Sequence, residues 1–218
     1  MIGVIIAMQS EADILLQEMQ INRTLTVSGK TIHVGKAYGK DVALCVCGVG
    51  KVNAALGTQL VVSKFDAEKL LNFGVSGGLN ADTELCKVYQ IEAATQFDFD
   101  LAQLNGTSIG TLNEYTEPYL NLNLLNLPYP KRKLATADRF NDSIDDYNLL
   151  TQELKADIRD MEGGAIVQAA YMASLPVYSV KAISDVAGSG STIEQFLVNK
   201  DKALQNLKAE LPNIFEQL

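Results

Sequence analysis

Short, wholly apolar runs followed at once by helix-period segments are what most constrain this chain. "IGVIIA" (residues 2–7) has no polar face to offer water, so a strand built from it must be covered on both sides. "SEADILLQEM" follows, with apolar residues at helical spacing and Ser10 as the expected N-cap. The pattern recurs. "RTLTVSGKTIHVGKAYGKDVALCVCG" reads as three strands joined by turns at Ser28-Gly29-Lys30 and Gly39-Lys40, and "GKVNAALGTQLVVSKF" as a helix. "KLLNFGVSGG" is a strand running into a glycine turn. "KRKLATAD" is a strand and "SIDDYNLLTQEL" a helix. "DIRDM" (strand), "EGGAIVQAAYMASL" (helix) and "PVYSVKAISDV" (strand) follow, and a last helix starts near Thr192. Apolar strands alternating with helices predict an α/β fold, a central mixed β-sheet flanked by α-helices on both faces. With no repeat or linker to divide it, residues 1–218 are expected to form a single domain. Residues 97–130, asparagine-rich with short apolar patches, read as strand ends and long loops, where recognition often resides.

Composition excludes several function classes. The net charge of −8 and a pI near 4.7 argue against nucleic acid, whose binding depends on clustered Lys and Arg. The arginines are Arg23, Arg132, Arg139 and Arg159. A hydrophobic content of 47% implies a sizeable core. Cys45, Cys47 and Cys86 are an odd count, two of them inside the apolar run "VALCVC", and read as buried thiols of a reducing compartment. The one histidine, His33, lies in an alternating strand, so neither a multi-His metal site nor a Ser–His triad is expected. The apolar N-terminal run is short and lacks a basic flank, and reads as a buried strand rather than a signal peptide. With no run of the roughly 18 apolar residues that span a bilayer, a cytoplasmic protein without membrane association is expected.

In sheets of this kind ligands bind outside the carboxyl ends of the strands. Those ends carry Met8-Gln9-Ser10-Glu11, Gly48-Val49-Gly50, Gly74-Val75-Ser76-Gly77-Gly78, Asp138-Arg139-Phe140, Asp160-Met161-Glu162 and Ser184-Asp185. Any one of these acids alone reads as a helix cap. Gathered at one edge with methionines, an aromatic and flexible glycines, they read as a binding site for a small molecule, with no metal-ligand cluster.

The stretches "GVIIAMQSEADILL", "GVGKVNAA", "NFGVSGGL", "DMEGGAIVQAA" and "VKAISDVA" resemble the 5′-methylthioadenosine/S-adenosylhomocysteine nucleosidases of the nucleoside phosphorylase superfamily. The resemblance spans nearly the whole chain and is weakest across 97–130. It implies hydrolysis of an N-glycosidic bond, with release of adenine from a thioribose nucleoside and no cofactor. Carried over by position, Asp185 protonates the purine at N7, Ser184 steadies it, and Glu11 orients and activates the attacking water. Glu162 grips the ribose hydroxyls with Met161 under the sugar, Phe140 stacks on the base, and Met8 and Val49 line the 5′-alkylthio pocket. Ser76 in the glycine turn and Ile193 near the 5′ pocket complete the expected substrate contacts. A homodimer is implied too, with 97–130 as candidate interface or pocket rim.

The chemistry is consistent with these roles. A purine anion leaves poorly, so an acid must neutralise it, and water attacks poorly unless positioned across the sugar. Two carboxylates flanking an oxocarbenium-like centre supply both functions.

The chain also departs from the family pattern. Val75-Ser76 stands for a serine-alanine pair, Lys181 for arginine and Asp160 for glutamate. Gln9 and Ser10 replace two acids, and Asp98-Phe99-Asp100 replaces a His-Asp-x-Asp stretch. The segment from Asp185 to Phe196 is about two residues short, leaving Ile193 where an aromatic often closes the 5′ pocket. These changes bear on the 5′-substituent. The rival readings are a purine nucleoside phosphorylase, another hydrolase such as a futalosine hydrolase, and a non-catalytic nucleoside-binding or storage relative. Phosphorolysis would require arginine at the phosphate, and Arg139 is the only arginine the sequence puts near the site.

Overall fold

The computed structural model describes residues 1–80 and 82–218. The strands are β1 (Ile2–Ile6), β2 (Met19–Val27), β3 (Lys30–Ala37), β4 (Lys40–Val46), β5 (Lys69–Gly78), β6 (Val88–Gln96), β7 (Leu120–Asn121), β8 (Lys131–Thr136), β9 (Ile158–Asp160) and β10 (Val177–Val186). The helices are α1 (Gln9–Leu16), α2 (Lys51–Phe65), α3 (Ala102–Asn105), α4 (Ile144–Asn148), α5 (Gly163–Met172) and α6 (Thr192–Gln217). The expected mixed α/β architecture is what forms. In β1, Ile2, Val4 and Ile6 enter one core cluster with Leu15 of α1 and Leu204, Leu207 and Ile214 of α6. Ile5 enters the opposite cluster with Leu60 and Val61 of α2 and Ile166 of α5. A strand with helices on both faces has no solvent side, which is why its sequence carries no polar alternation. No described helix is long and apolar enough to cross a membrane.

Several details differ from the sequence reading. Met8, in extended conformation, precedes α1, so Ser10 lies inside the helix and is not its cap. The reason is that Glu11 reaches back to accept from the Met8 N–H at 3.1 Å, which supplies the capping bond without a serine. The expected helix over 143–154 is α4 followed by a π-helical turn, Leu149–Glu153. β6 lies in a stretch the sequence reading left unassigned. Its polar Gln90, Thr95 and Gln96 are buried, and they disguise the strand. His33 takes the expected strand role, its Nδ1 3.0 Å from Thr24 Oγ1. The cysteines are free and buried.

The topology changes how the site is assembled. β1 is parallel to β4 and β5, and β5 to β10, so their carboxyl ends share a direction. β9 pairs with the end of β5 antiparallel, Gly77 opposite Arg159, and β8 is parallel to β9. β6 joins β8 to β10, so β5, β9, β8, β6 and β10 close into a ring. The expectation of a single edge is therefore corrected. β8 and β9 deliver their carboxyl ends from the opposite direction, and ring closure brings the two sets together.

Candidate active site

A cavity of about 290 Å³ opens where these ends meet. Its wall includes all ten residues singled out from the sequence: Met8, Glu11, Val49, Ser76, Phe140, Met161, Glu162, Ser184, Asp185 and Ile193. Phe196 also lines it, and packs edge-on against Phe140 with ring centroids 6.0 Å apart.

Glu11 sits in the first turn of α1 and is 4% exposed. Oε2 accepts from Met8 N–H and Oε1 from Val75 N–H at 2.9 Å. The carboxylate lies against β5 because residue 74 is glycine: a Cβ there would stand 2.3 Å from Oε1. Burial pushes the Glu11 pKa up; Lys181 and the two backbone bonds pull against that rise.

Glu162 ends the short link from β9 to α5. Its Oε1 accepts from Gly50 N–H at 2.8 Å, at the mouth of α2. Burial, reinforced by the Asp160 carboxylate, pushes its pKa up to about 7. Asp160, two residues earlier, has a different role. It accepts from Thr136 Oγ1 at 2.6 Å and from the Gly163 N–H at 2.9 Å, and it pairs with Lys181 Nζ at 3.0 Å. Asp160 is thus a capping and ion-pairing acid, while Glu162 is free to face the cavity. Burial works against the Lys181 ammonium, but Asp160, Glu11 and Glu162 outweigh it and its pKa is raised. The two departures at 160 and 181 touch one another, so they form one exchange of an ion pair.

Asp185 comes from the end of β10, where the ladder with β5 slips: Ile183 faces Ser76 but Asp185 faces Gly77. The extra residue at this bulge is Ser184. Adjacent strand residues ordinarily point to opposite faces, and a bulge turns both to the same cavity. Ser184 Oγ donates to Asp185 Oδ2 at 2.8 Å. Asp185 Oδ1 is buried and has no hydrogen-bond partner. Burial raises the Asp185 pKa; Ser184 and then Arg159 oppose the rise.

Arg159 is the functional candidate the sequence reading missed. It lines the cavity, whereas Arg139 does not: Arg139 pairs with Asp146 at 3.0 Å and lies over the Phe97 ring. The expectation for Arg139 is corrected accordingly. Strand parity could have pointed to Arg159, since it stands two residues before Met161 in the same short extended run. The sheet places it beside Asp185, not beside Glu11: a Cβ on Gly77 would lie 2.9 Å from Asp185 Oδ1 and 3.3 Å from Arg159 Nε.

The sequence that builds this sheet and cavity matches a known family model. The model for the phosphorylase superfamily covers residues 1–216, and the chain belongs to that superfamily. Within it, the chain is 29% identical to a 5′-methylthioadenosine/S-adenosylhomocysteine nucleosidase of Oceanobacillus iheyensis, over 92% of this chain and 93% of that protein. A nucleosidase of the same name from Colwellia psychrerythraea, solved in complex with adenine, superposes with a TM-score of 0.91 at 25% identity, covering 100% of this chain and 95% of the other. The futalosine hydrolase of Helicobacter pylori superposes equally well, TM-score 0.91 with 100% and 97% covered, and at 22% identity shares the fold.

Proposed function

We propose that this protein is a nucleosidase that hydrolyses the N-glycosidic bond of 5′-methylthioadenosine/S-adenosylhomocysteine-type nucleosides to adenine and a thioribose, using one domain and no cofactor. The observation that carries this reading is the pair of buried carboxylates, Glu11 and Asp185, reaching one cavity from different elements with their pKa values raised. Relatives of that name, similar along most of the chain, support it.

In this reading the base lies at the Asp185 end, stacked on Phe140, and the sugar lies over Met161 with its hydroxyls on Glu162. Water forms the new bond to C1′ as the C1′–N9 bond breaks. The bonding pair leaves on the purine, N7 takes up the proton that Asp185 supplies, and the proton released by water passes to Glu11. Ser184 fixes Asp185 by occupying Oδ2, which leaves Oδ1 for N7. Glu11 has a backbone donor on each oxygen, so it is held rigidly while it orients water. The 5′-alkylthio group meets the apolar side chains Met8, Val49 and Ile193.

Hydrolysis is favoured over phosphorolysis because the arginine of this cavity, Arg159, stands at the Asp185 end, away from where a phosphate would attack. The test is adenine release from methylthioadenosine in phosphate-free buffer without added metal. Strict dependence on phosphate, with 5-methylthioribose-1-phosphate as product, would overturn the assignment.

The same reading includes a homodimer in the cytoplasm, serving methionine salvage. Val52 at 79% and Met172 at 78% exposed are apolar side chains of α2 and α5 that a second copy would bury. Light scattering at micromolar concentration tests it, a fully active monomer being the contrary result.

A further inference from the structure

Arg159 is mostly buried, its side chain 12% exposed, yet its Nη2 has no hydrogen-bond partner. The carboxylate it pairs with, Asp142, holds Oδ1 4.0 Å away, beyond hydrogen-bond reach. A buried guanidinium nitrogen without an acceptor is costly, and such groups mark places where a ligand supplies the missing atom. Arg159 is also the residue shared between the cavity described above and a second, more polar one of about 400 Å³, lined by Asp142, Ser143, Tyr147, Gly188 and Ser191. Its side chain therefore forms the wall at which the base end of the first cavity adjoins the second.

We infer that Arg159 is a specificity-determining residue that opens this site to purines carrying a hydrogen-bond acceptor at C6, that is, to 6-oxopurine nucleosides as well as adenine nucleosides. The inference rests on the reading in which Asp185 serves N7. On a purine, the C6 substituent is the neighbour of N7 along the ring edge, and N1 comes next. Arg159 and Asp185 both lie over Gly77, and the inferred pose sets the C6 edge of the base, not C8, toward Arg159. Asp142, whose Oδ1 lies 4.0 Å from Arg159 Nη2, lines the second cavity and not the first.

A guanidinium has donors only. Against the 6-amino group of adenine it sets donor against donor. Against a 6-oxo group it donates to an acceptor. A hydrogen bond to a charged group is worth about 10–100-fold in affinity, enough to offset a scaffold otherwise suited to adenine.

The experiment compares 5′-methylthioinosine with 5′-methylthioadenosine, which share sugar and 5′ group and differ only in the base, in phosphate-free buffer. The wild-type protein is expected to release both bases with kcat/KM values within about tenfold of each other. Arg159→Met is expected to lower the ratio of the inosine value to the adenosine value by about 10–100-fold. A wild-type preference for the adenine substrate beyond tenfold overturns the inference and leaves the nucleosidase reading standing. So does an equal loss on both substrates in Arg159→Met, which would mark a structural arginine. If the variant does not fold, the wild-type ratio decides. Release of neither base overturns the reading of the site itself.

Discussion

At the Glu11–Glu162 end of the cavity every buried charge has a partner, whereas at the Asp185 end the partners are missing. Glu11 accepts two backbone N–H groups, Glu162 accepts from Gly50, and Asp160 and Lys181 hold each other. At the other end Asp185 Oδ1, Ser76 Oγ and Arg159 Nη2 are all buried without hydrogen bonds. The satisfied end is preorganised, with groups held before substrate arrives. The unsatisfied end stores desolvation cost that a bound base relieves, so binding energy is concentrated where the leaving group departs.

The largest effect is expected from breaking the unsatisfied end. Asp185→Asn should cost on the order of 10²–10⁴ in kcat with adenine nucleosides. The loss should be far smaller with a nitrophenyl riboside, whose leaving group departs as a stable anion. Glu11→Gln should damage both reactions, because water must be oriented in either. Equal losses for Asp185→Asn on the two substrates would remove it as the leaving-group acid.

Next comes the buried pair beneath the satisfied end. Lys181→Met strands the Asp160 carboxylate, and a loss of about 3–5 kcal/mol in folding stability is expected. Adding Asp160→Asn should recover part of it. Urea midpoints measure both. No loss in the single variant would mean the pair is not the support described here.

Gly74→Ala sharpens the comparison at Glu11 alone. The new Cβ would stand 2.3 Å from Oε1, so the carboxylate must move. A displacement of that kind should lower kcat by roughly 10²-fold, with KM changing much less. A shift in KM alone would place Glu11 in binding and not in water activation.

The smallest effect has opposite signs for activity and stability. The Glu162 pKa in the folded protein, about 7, lies above its ordinary 4.5. The folded state therefore holds more protons than the unfolded state between those values, and this group's contribution to stability falls as pH rises through that window. Glu162→Gln keeps the acceptor for Gly50 and removes the charge. It should raise stability at pH 8 by about 1–3 kcal/mol, with little change at pH 4. It should also abolish an acid limb in kcat/KM near pH 7, since only the ionised carboxylate accepts from both ribose hydroxyls. A variant less stable at pH 8 than at pH 4, relative to the parent, would contradict the assignment.

Much of this was legible in the chain. Fully apolar strands and helix-period segments fixed the class of fold, because covering a strand on both faces leaves its residues no polar choice. The site residues were legible as strand-end acids and apolar neighbours, and the resemblance gave each an expected role. What stayed hidden involved partners distant in sequence. β6 was obscured because its buried Gln90 spends its amide on backbone groups of 125–129, a satisfaction no local pattern reveals. That Asp160 caps and pairs while Glu162, two residues on, faces the cavity depended on Lys181 arriving from another strand.

The sequence by itself determined which residues are present to do chemistry and that they lie at strand ends, since local periodicity and turn residues are encoded within a few positions. The tertiary structure alone decided the rest. Ring closure brought β9 antiparallel against β5, the slip in the β10 ladder turned both Ser184 and Asp185 to one side, and the missing side chain at Gly77 left room for Arg159 and Asp185 on either side of it. Register and strand direction arise from packing between segments far apart in the chain, so the place of a side chain in the site is set by neighbours that its own stretch of sequence does not contain.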